Sequence, residues 1–164
     1  MGIKGKVWKY GDDVNTDVIF PGKYTYTISD PKEMAQHALE DLDPNFVKEV
    51  KPGDILVAGW NFGCGSSREQ AATCIKHTGV GAVVAKSFSR IFYRNAINEG
   101  LAIVESKEAP DAIQKGEEIE IDFARGELKC KAGTYTFLPL PKEVIGIVED
   151  GGLIPHIKKE LGLK

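Results

Sequence analysis

The chain has 164 residues, enough for one domain with a real apolar core. A hydrophobic fraction of 42% and a charged fraction of 27% are ordinary for a globular protein, and a formal net charge of −3 leaves no basic footprint for nucleic acid or an anionic membrane. No apolar run approaches the roughly 18 residues of a membrane span, and the start, Met1-Gly2-Ile3-Lys4-Gly5-Lys6, has neither a secretory h-region nor the Ser/Thr that myristoylation needs, so a cytoplasmic protein is expected.

Residues 5–9 and the segment Val18-Ile19-Phe20 read as short strands, the second broken by Pro21-Gly22. Asp30-Pro31-Lys32-Glu33 is a helix start, with Asp as N-cap, Pro at the first helical position and an acid in the first turn. Met34, Ala35, Ala38, Leu39 and Leu42 recur at helical spacing until Pro44 ends the run. Phe46, Val47 and Val50 suggest another turn of helix, and Lys51-Pro52-Gly53-Asp54 a turn. A repeated unit follows: strand at 55–58, helix at 66–78, strand at 80–85, helix at 88–99, strand at 101–104. Short apolar strands alternating with helices predict parallel β-α-β crossovers, and Gly79 and Gly100 stand where helix-ending glycines belong. After Pro110 the pattern changes. Glu118-Ile119-Glu120-Ile121-Asp122-Phe123 alternates strictly, and the turn signals Arg125-Gly126 and Ala132-Gly133 divide an antiparallel meander. Val144, Ile145 and Val148 predict a helix closed by Gly151-Gly152, and residues 153–161 a short amphipathic helix. The expected fold is α/β, with a parallel β-α-β core and an antiparallel meander, as a single domain over residues 1–164.

The most informative segment is Gly59-Trp60-Asn61-Phe62-Gly63-Cys64-Gly65-Ser66-Ser67-Arg68-Glu69-Gln70. It lies between an apolar strand and a helical pattern, so it reads as strand, glycine loop and helix start. A helix start offers unpaired N–H groups and a partial positive charge, which together bind an anion. A reading without chemistry exists: Ser66 with Glu69, or Ser67 with Gln70, fits a capping box. One cap needs one serine, however, and here two serines, an arginine and three glycines stand together. Familiar alternatives fail. No lysine precedes either serine as Walker A requires, Arg68 occupies the third glycine position of the dinucleotide fingerprint, and Gly65-Ser66-Ser67-Arg68-Glu69 does not make a nucleophile elbow.

Cys64, Cys74 and Cys130 are odd in number and widely separated, which argues against a disulfide framework. Three are also too few for an iron–sulfur cluster, which generally takes about four protein ligands. His37, His77 and His156 are scattered, so no metal or cofactor ligand set is expected in this chain.

Three blocks carry a family resemblance. Asn61-Phe62-Gly63-Cys64-Gly65-Ser66-Ser67-Arg68-Glu69 resembles the signature of the aconitase superfamily's swivelling domain. Gly11-Asp12-Asp13-Val14-Asn15-Thr16-Asp17-Val18-Ile19 resembles that domain's Thr-Asp motif, and the segment from Ala85 through Phe88-Ser89-Arg90-Ile91-Phe92-Tyr93-Arg94 to Gly100 resembles a third block, in the family's order and spacing. Within the superfamily the chain looks most like the stand-alone small subunits of the 3-isopropylmalate dehydratases. The small subunits of homoaconitase and dimethylmalate dehydratase are similar.

The resemblance implies a swivelling β/β/α domain and a split hydro-lyase. A large subunit, the expected partner, holds a four-iron–four-sulfur cluster, and the small subunit holds the base and part of an anion site, so that neither works alone. The substrate class is a small hydroxy-dicarboxylate. By motif match Ser66 is the base, Ser67 and Arg68 hold substrate carboxylate, Asp17 orients catalytic groups, and Gly63 and Gly65 shape the loop. Thr25 and Tyr26 fall in the segment that distinguishes substrates. Tyr26 stands about where homoaconitase-like members have an arginine, so an apolar substrate tail, as in isopropylmalate, is expected over a further carboxylate, although Lys23 could supply charge. Arg90 and Arg94, at i and i+4 on one helix, are expected to serve a structural or interface role. A non-catalytic carboxylate-binding module is the rival of a different class.

Overall fold

The computed structural model describes residues 1–163. Its organising strand is β1 (Gly2–Lys9), which serves two neighbours with different halves. Residues 7–9 pair in parallel with β2 (Ile55–Val57), in the register Val7↔Ile55. Residues 2–6 pair antiparallel with β5 (Glu118–Asp122), in the register Gly5↔Ile119. Outside β2 lie β3 (Ala82–Ala85) and β4 (Ala102–Glu105), both parallel; outside β5 lie β6 (Glu127–Cys130) and β7 (Gly133–Thr136), both antiparallel. The sheet therefore runs β4-β3-β2-β1-β5-β6-β7. The parallel half and the antiparallel meander, each predicted from its hydropathy pattern, share the one strand β1.

β2 and β3 are buried at every residue, as strands covered on both faces must be. The crossovers are α4 (Glu69–His77) and α5 (Arg90–Asn98), both close to their expected spans. Gly100 ends the second at φ +78°, where an added Cβ would lie 2.5 Å from the Gly151 backbone, so only glycine fits. The meander is followed by α7 (Lys142–Glu149) and α8 (Leu153–Glu160), again as expected.

Four expectations need correction. Val18-Ile19-Phe20 is not a strand: α1 (Thr16–Ile19) is one helical turn, because the Asn15 side chain caps it by accepting from the Val18 N–H. The helix opened by Asp30 and Pro31 does not reach Leu42: α2 (Pro31–Ala35) stops early and irregular turns follow. There Leu39 adopts φ +58°, its N–H bonds to the Ile19 carbonyl at 2.9 Å, and its side chain is fully buried, so tertiary packing overrides the periodicity. The helix expected from residue 66 begins at Glu69. A turn of helix, α6 (Ala109–Ala112), lies around Pro110 where none is expected. The short helix near Phe46 is present as α3 (Phe46–Glu49).

Candidate functional site

The three motif blocks leave the carboxyl ends of adjacent parallel strands β1, β2 and β3, the edge at which open α/β sheets place ligands. Backbone bonds join them. From the first block to the glycine loop run Asp13 N–H to the Trp60 carbonyl, Thr16 N–H to the Cys64 carbonyl, and Gly63 N–H to the Val14 carbonyl, each 2.8 Å. From the loop to the third block run Phe62 N–H to the Ser87 carbonyl and Ser89 N–H to the Phe62 carbonyl, each 3.0 Å. The Ser89 hydroxyl donates to the Gly63 carbonyl at 2.8 Å and caps α5 by accepting from the Phe92 N–H at 3.1 Å. Asp12 accepts from the Trp60 N–H, and Asp13 from the Asn61 side-chain amide. The motifs are one knitted surface.

Within it, Gly63 and Gly65 have φ +81° and +96°. At Gly63 an added Cβ would lie 2.3 Å from the Cβ and Cγ of Phe92, so the glycine lets the loop touch the α5 core. Ser66 and Ser67 are exposed. The Thr16 hydroxyl donates to the Ser66 carbonyl at 2.9 Å and so fixes the backbone that carries the serine. The N-cap of α4 is Arg68, with no side-chain capping bond. Neither capping box forms, and the serine hydroxyls stand before an uncapped helix start whose free N–H groups favour negative charge.

Arg68 is the most constrained residue of the site. One terminal nitrogen donates to Asp17 Oδ1 at 2.6 Å and the other to the Phe20 carbonyl at 2.7 Å. The guanidinium lies 5.7 Å over the Phe20 ring. The Arg68 side chain is 10% exposed, against 68% for Asp17. Its Nε–H is buried with no protein acceptor, a state that costs on the order of 1–3 kcal/mol.

The segment after Phe20 folds against this pair. A 3-10 turn, Gly22–Tyr24, places Gly22 where a Cβ would lie 3.4 Å from Asp17 Oδ1 and 3.9 Å from the Arg68 guanidinium. Thr25 is half-buried, its N–H bonded to the Gly22 carbonyl. Tyr26 is 98% exposed and stands in solvent rather than against the serines. Lys23 is held 3.7 Å from Glu40 and 5.2 Å over the Tyr24 ring. Glu40 carries further bonds from Tyr24 and His37; burial alone would raise its pKa, but these partners hold the carboxyl below its usual range.

Arg90 and Arg94 stay outside the loop. Both are exposed and border a groove of about 550 Å³ between α5 and α7, floored by Phe88, Ile97 and Val144. Sequence reasoning missed Thr16, Ser89 and Glu40. Thr16 and Ser89 sat inside quoted motifs, and Ser89 stands immediately before a helical run, a readable cap signal. Nothing local distinguishes Glu40.

Among the described residues no group of three or more His, Cys, Asp or Glu side chains could hold a metal ion. The Cys74 thiol is buried against the Ile19 and Ala71 carbonyls, and burial pushes its pKa far up; Cys64 and Cys130 lie in other parts of the fold. These residues do not fit an iron–sulfur cluster.

Residues 13–109, a span that contains the second and third blocks and the first from Asp13 onward, match the aconitase C-terminal domain. The chain belongs to the aconitase C-terminal domain family. Among its relatives in that family, the 3-isopropylmalate dehydratase small subunit of Caldicellulosiruptor saccharolyticus is 55% identical over 163 residues, covering 98% of this chain and 94% of its own. That of Aquifex aeolicus is 52% identical and covers 100% and 99%. The crystal structure of 3-isopropylmalate dehydratase (LeuD) from Methanocaldococcus jannaschii superposes with a TM-score of 0.91 at 47% identity, covering 98% and 96%. The mixed, curled sheet is thus the swivelling-domain fold that the motifs imply.

Proposed function

We propose that this chain is the small subunit of a two-chain iron–sulfur hydro-lyase that interconverts 2-isopropylmalate and 3-isopropylmalate, a step of leucine biosynthesis in the cytoplasm, with residues 1–164 acting as one swivelling domain. The observation that carries the proposal is the convergence of Ser66, Ser67 and the Arg68–Asp17 pair at an uncapped helix start, in a chain 55% identical to a protein of that name. The four-iron–four-sulfur cluster belongs, on this reading, to the large subunit.

The reaction removes a proton alpha to a carboxylate and expels the hydroxyl on the neighbouring carbon; water then adds back with the opposite regiochemistry. The Ser66 oxygen takes the proton as an alkoxide. That charge needs support, which the α4 N–H groups and Arg68 supply. Thr16 keeps the Ser66 backbone in place. Arg68 holds substrate carboxylate, with Ser67 beside it, while Asp17 and the Phe20 carbonyl fix the guanidinium plane. Tyr26, in the segment that distinguishes substrates, brings no charge, which favours an apolar tail over a further carboxylate.

The test is turnover by this chain combined anaerobically with its cluster-loaded large subunit, with 3-isopropylmalate, dimethylmalate and homocitrate offered in parallel and the unsaturated intermediate followed by ultraviolet absorbance. Isopropylmalate is expected to react fastest, and neither chain alone should turn it over. A preference for homocitrate would overturn the substrate assignment. An assembled pair that turns over none of the three would overturn the enzymatic one.

A further inference from the structure

The turn beside Arg68 is held from below by a residue far from the serines in sequence and absent from the motif blocks. Glu40 Oε1 accepts from the Tyr24 hydroxyl at 2.8 Å, and Oε2 lies 2.5 Å from His37 Nδ1. The Tyr24 ring lies 4.0 Å, centroid to centroid, from the His37 ring and 6.0 Å from Phe20. Phe20 in turn gives its carbonyl and ring face to the Arg68 guanidinium. A continuous chain of contacts therefore runs Glu40, Tyr24, Phe20, Arg68. The strained backbone of Leu39, φ +58° with the side chain fully buried, fixes the residue just before Glu40 in the core. Lys23, 65% exposed and 3.7 Å away, adds little, as a solvent-screened pair does.

We propose that Glu40 is a positioning residue: by clamping Tyr24 and His37 it fixes the 20–25 segment, and through Phe20 it sets the plane of the Arg68 guanidinium toward the substrate carboxylate. The proposal rests on the role given to Arg68 above. Glu40 touches no reacting atom. Its work is to keep the Arg68 guanidinium at one orientation, so that binding the carboxylate does not have to reorder the segment. Neutral acceptors can replace part of this. A glutamine accepts from Tyr24 as the carboxylate does but gives up the charge-assisted bond to His37.

The experiment compares Glu40→Ala, Glu40→Gln and Tyr24→Phe in the assembled pair, with steady-state kinetics on 3-isopropylmalate well below the melting temperature. Loss of pre-set carboxylate binding is expected to raise KM about tenfold in Glu40→Ala and leave kcat within about twofold, since an interaction shared by ground and transition states appears in KM. Glu40→Gln should recover most of the loss, and Tyr24→Phe should fall between. A role in stability alone would lower the melting temperature and leave KM unchanged, and that result would overturn the proposal.

A second readout needs no turnover. Hydrogen exchange of the Arg68 Nε–H, assigned by its absence in Arg68→Lys, is expected to be slow in the parent small subunit and at least tenfold faster in Glu40→Ala. Unchanged exchange in a folded variant would overturn the clamp even if KM moved. If the parent pair proves inactive, the functional reading falls, while the exchange rate still decides whether Glu40 holds Arg68. Should Glu40→Ala fail to fold, Glu40→Gln and Tyr24→Phe carry both comparisons.

Discussion

Two glycines with nearly the same backbone angle separate conformational strain from steric overlap at the glycine loop. Gly63 has φ +81° and Gly116 has φ +85°, so alanine at either position meets the same left-handed penalty, about 1–2 kcal/mol. Either substitution also removes chain entropy from the unfolded state, a stabilising effect of about 0.4–1 kcal/mol that is common to both. Their surroundings differ. Nothing lies within 4 Å of a Cβ added at Gly116, whereas one at Gly63 would lie 2.3 Å from the Cβ and Cγ of Phe92. Phe92 is 2% exposed and packs edge-on against Phe62 with ring centroids 5.1 Å apart, so neither ring can swing away. Overpacking of this kind costs about 1–3 kcal/mol. Gly63→Ala is therefore expected to lose about 1–3 kcal/mol more than Gly116→Ala, measured as the shift in urea midpoint at unchanged m-value. Equal losses within about 0.5 kcal/mol would refute the claim that the loop is a glycine loop because it presses on α5.

Ser89 and Ser66 should separate structure from chemistry in the same motif surface. Ser89→Ala removes a helix cap and a bond to the Gly63 carbonyl and is expected to cost about 1–2 kcal/mol, read by urea unfolding. Ser66→Ala should stay within about 0.5 kcal/mol of the parent, because the hydroxyl caps nothing; a loss of a full kcal/mol would restore the capping reading. Asp150 gives a pH dependence. Hydrogen bonds from His156 and then Lys159 hold its carboxyl below the usual range, so its contribution is present above the unfolded value near pH 4 and is lost as pH falls through the lower folded value. The melting-temperature difference between parent and Asp150→Asn should be large near about pH 5 and close in stronger acid. A difference that does not shrink at all as the pH is lowered below the unfolded value would contradict this.

Much of the architecture could be read from patterning because hydropathy and turn chemistry agreed there. Ile55 to Val57 and Ala82 to Ala85 are continuous apolar runs, as strands covered on both faces are. Glu118 to Asp122 alternates because one face meets the core. The reading failed where a side chain or a distant contact decides the backbone. Asn15 turns a β-branched run into α1 through one capping bond. Leu39 leaves the helical pattern because its N–H bonds to the Ile19 carbonyl, 20 residues earlier in the chain, and its side chain is fully buried. The site shows the same division. Ser66, Ser67, Arg68 and Asp17 were legible as motif residues, and the Asp17–Arg68 bond joins two of them. The Thr16 hydroxyl on the Ser66 carbonyl and the Glu40 contacts are tertiary facts with no local signature. Tyr26 is 98% exposed, so the chain's own packing says nothing of the role its motif position implies.

The most direct test of the functional reading is single-turnover proton abstraction from 3-isopropylmalate by the assembled pair, parent against Ser66→Ala, with the affinity of each for the large subunit measured alongside. The expected result is equal affinity for the large subunit, equal thermal stability, and a fall of at least about 10³-fold in formation of the unsaturated acid, as loss of a reacting group gives. A variant that binds equally and abstracts the proton within about tenfold of the parent would contradict the assignment of Ser66 as the base.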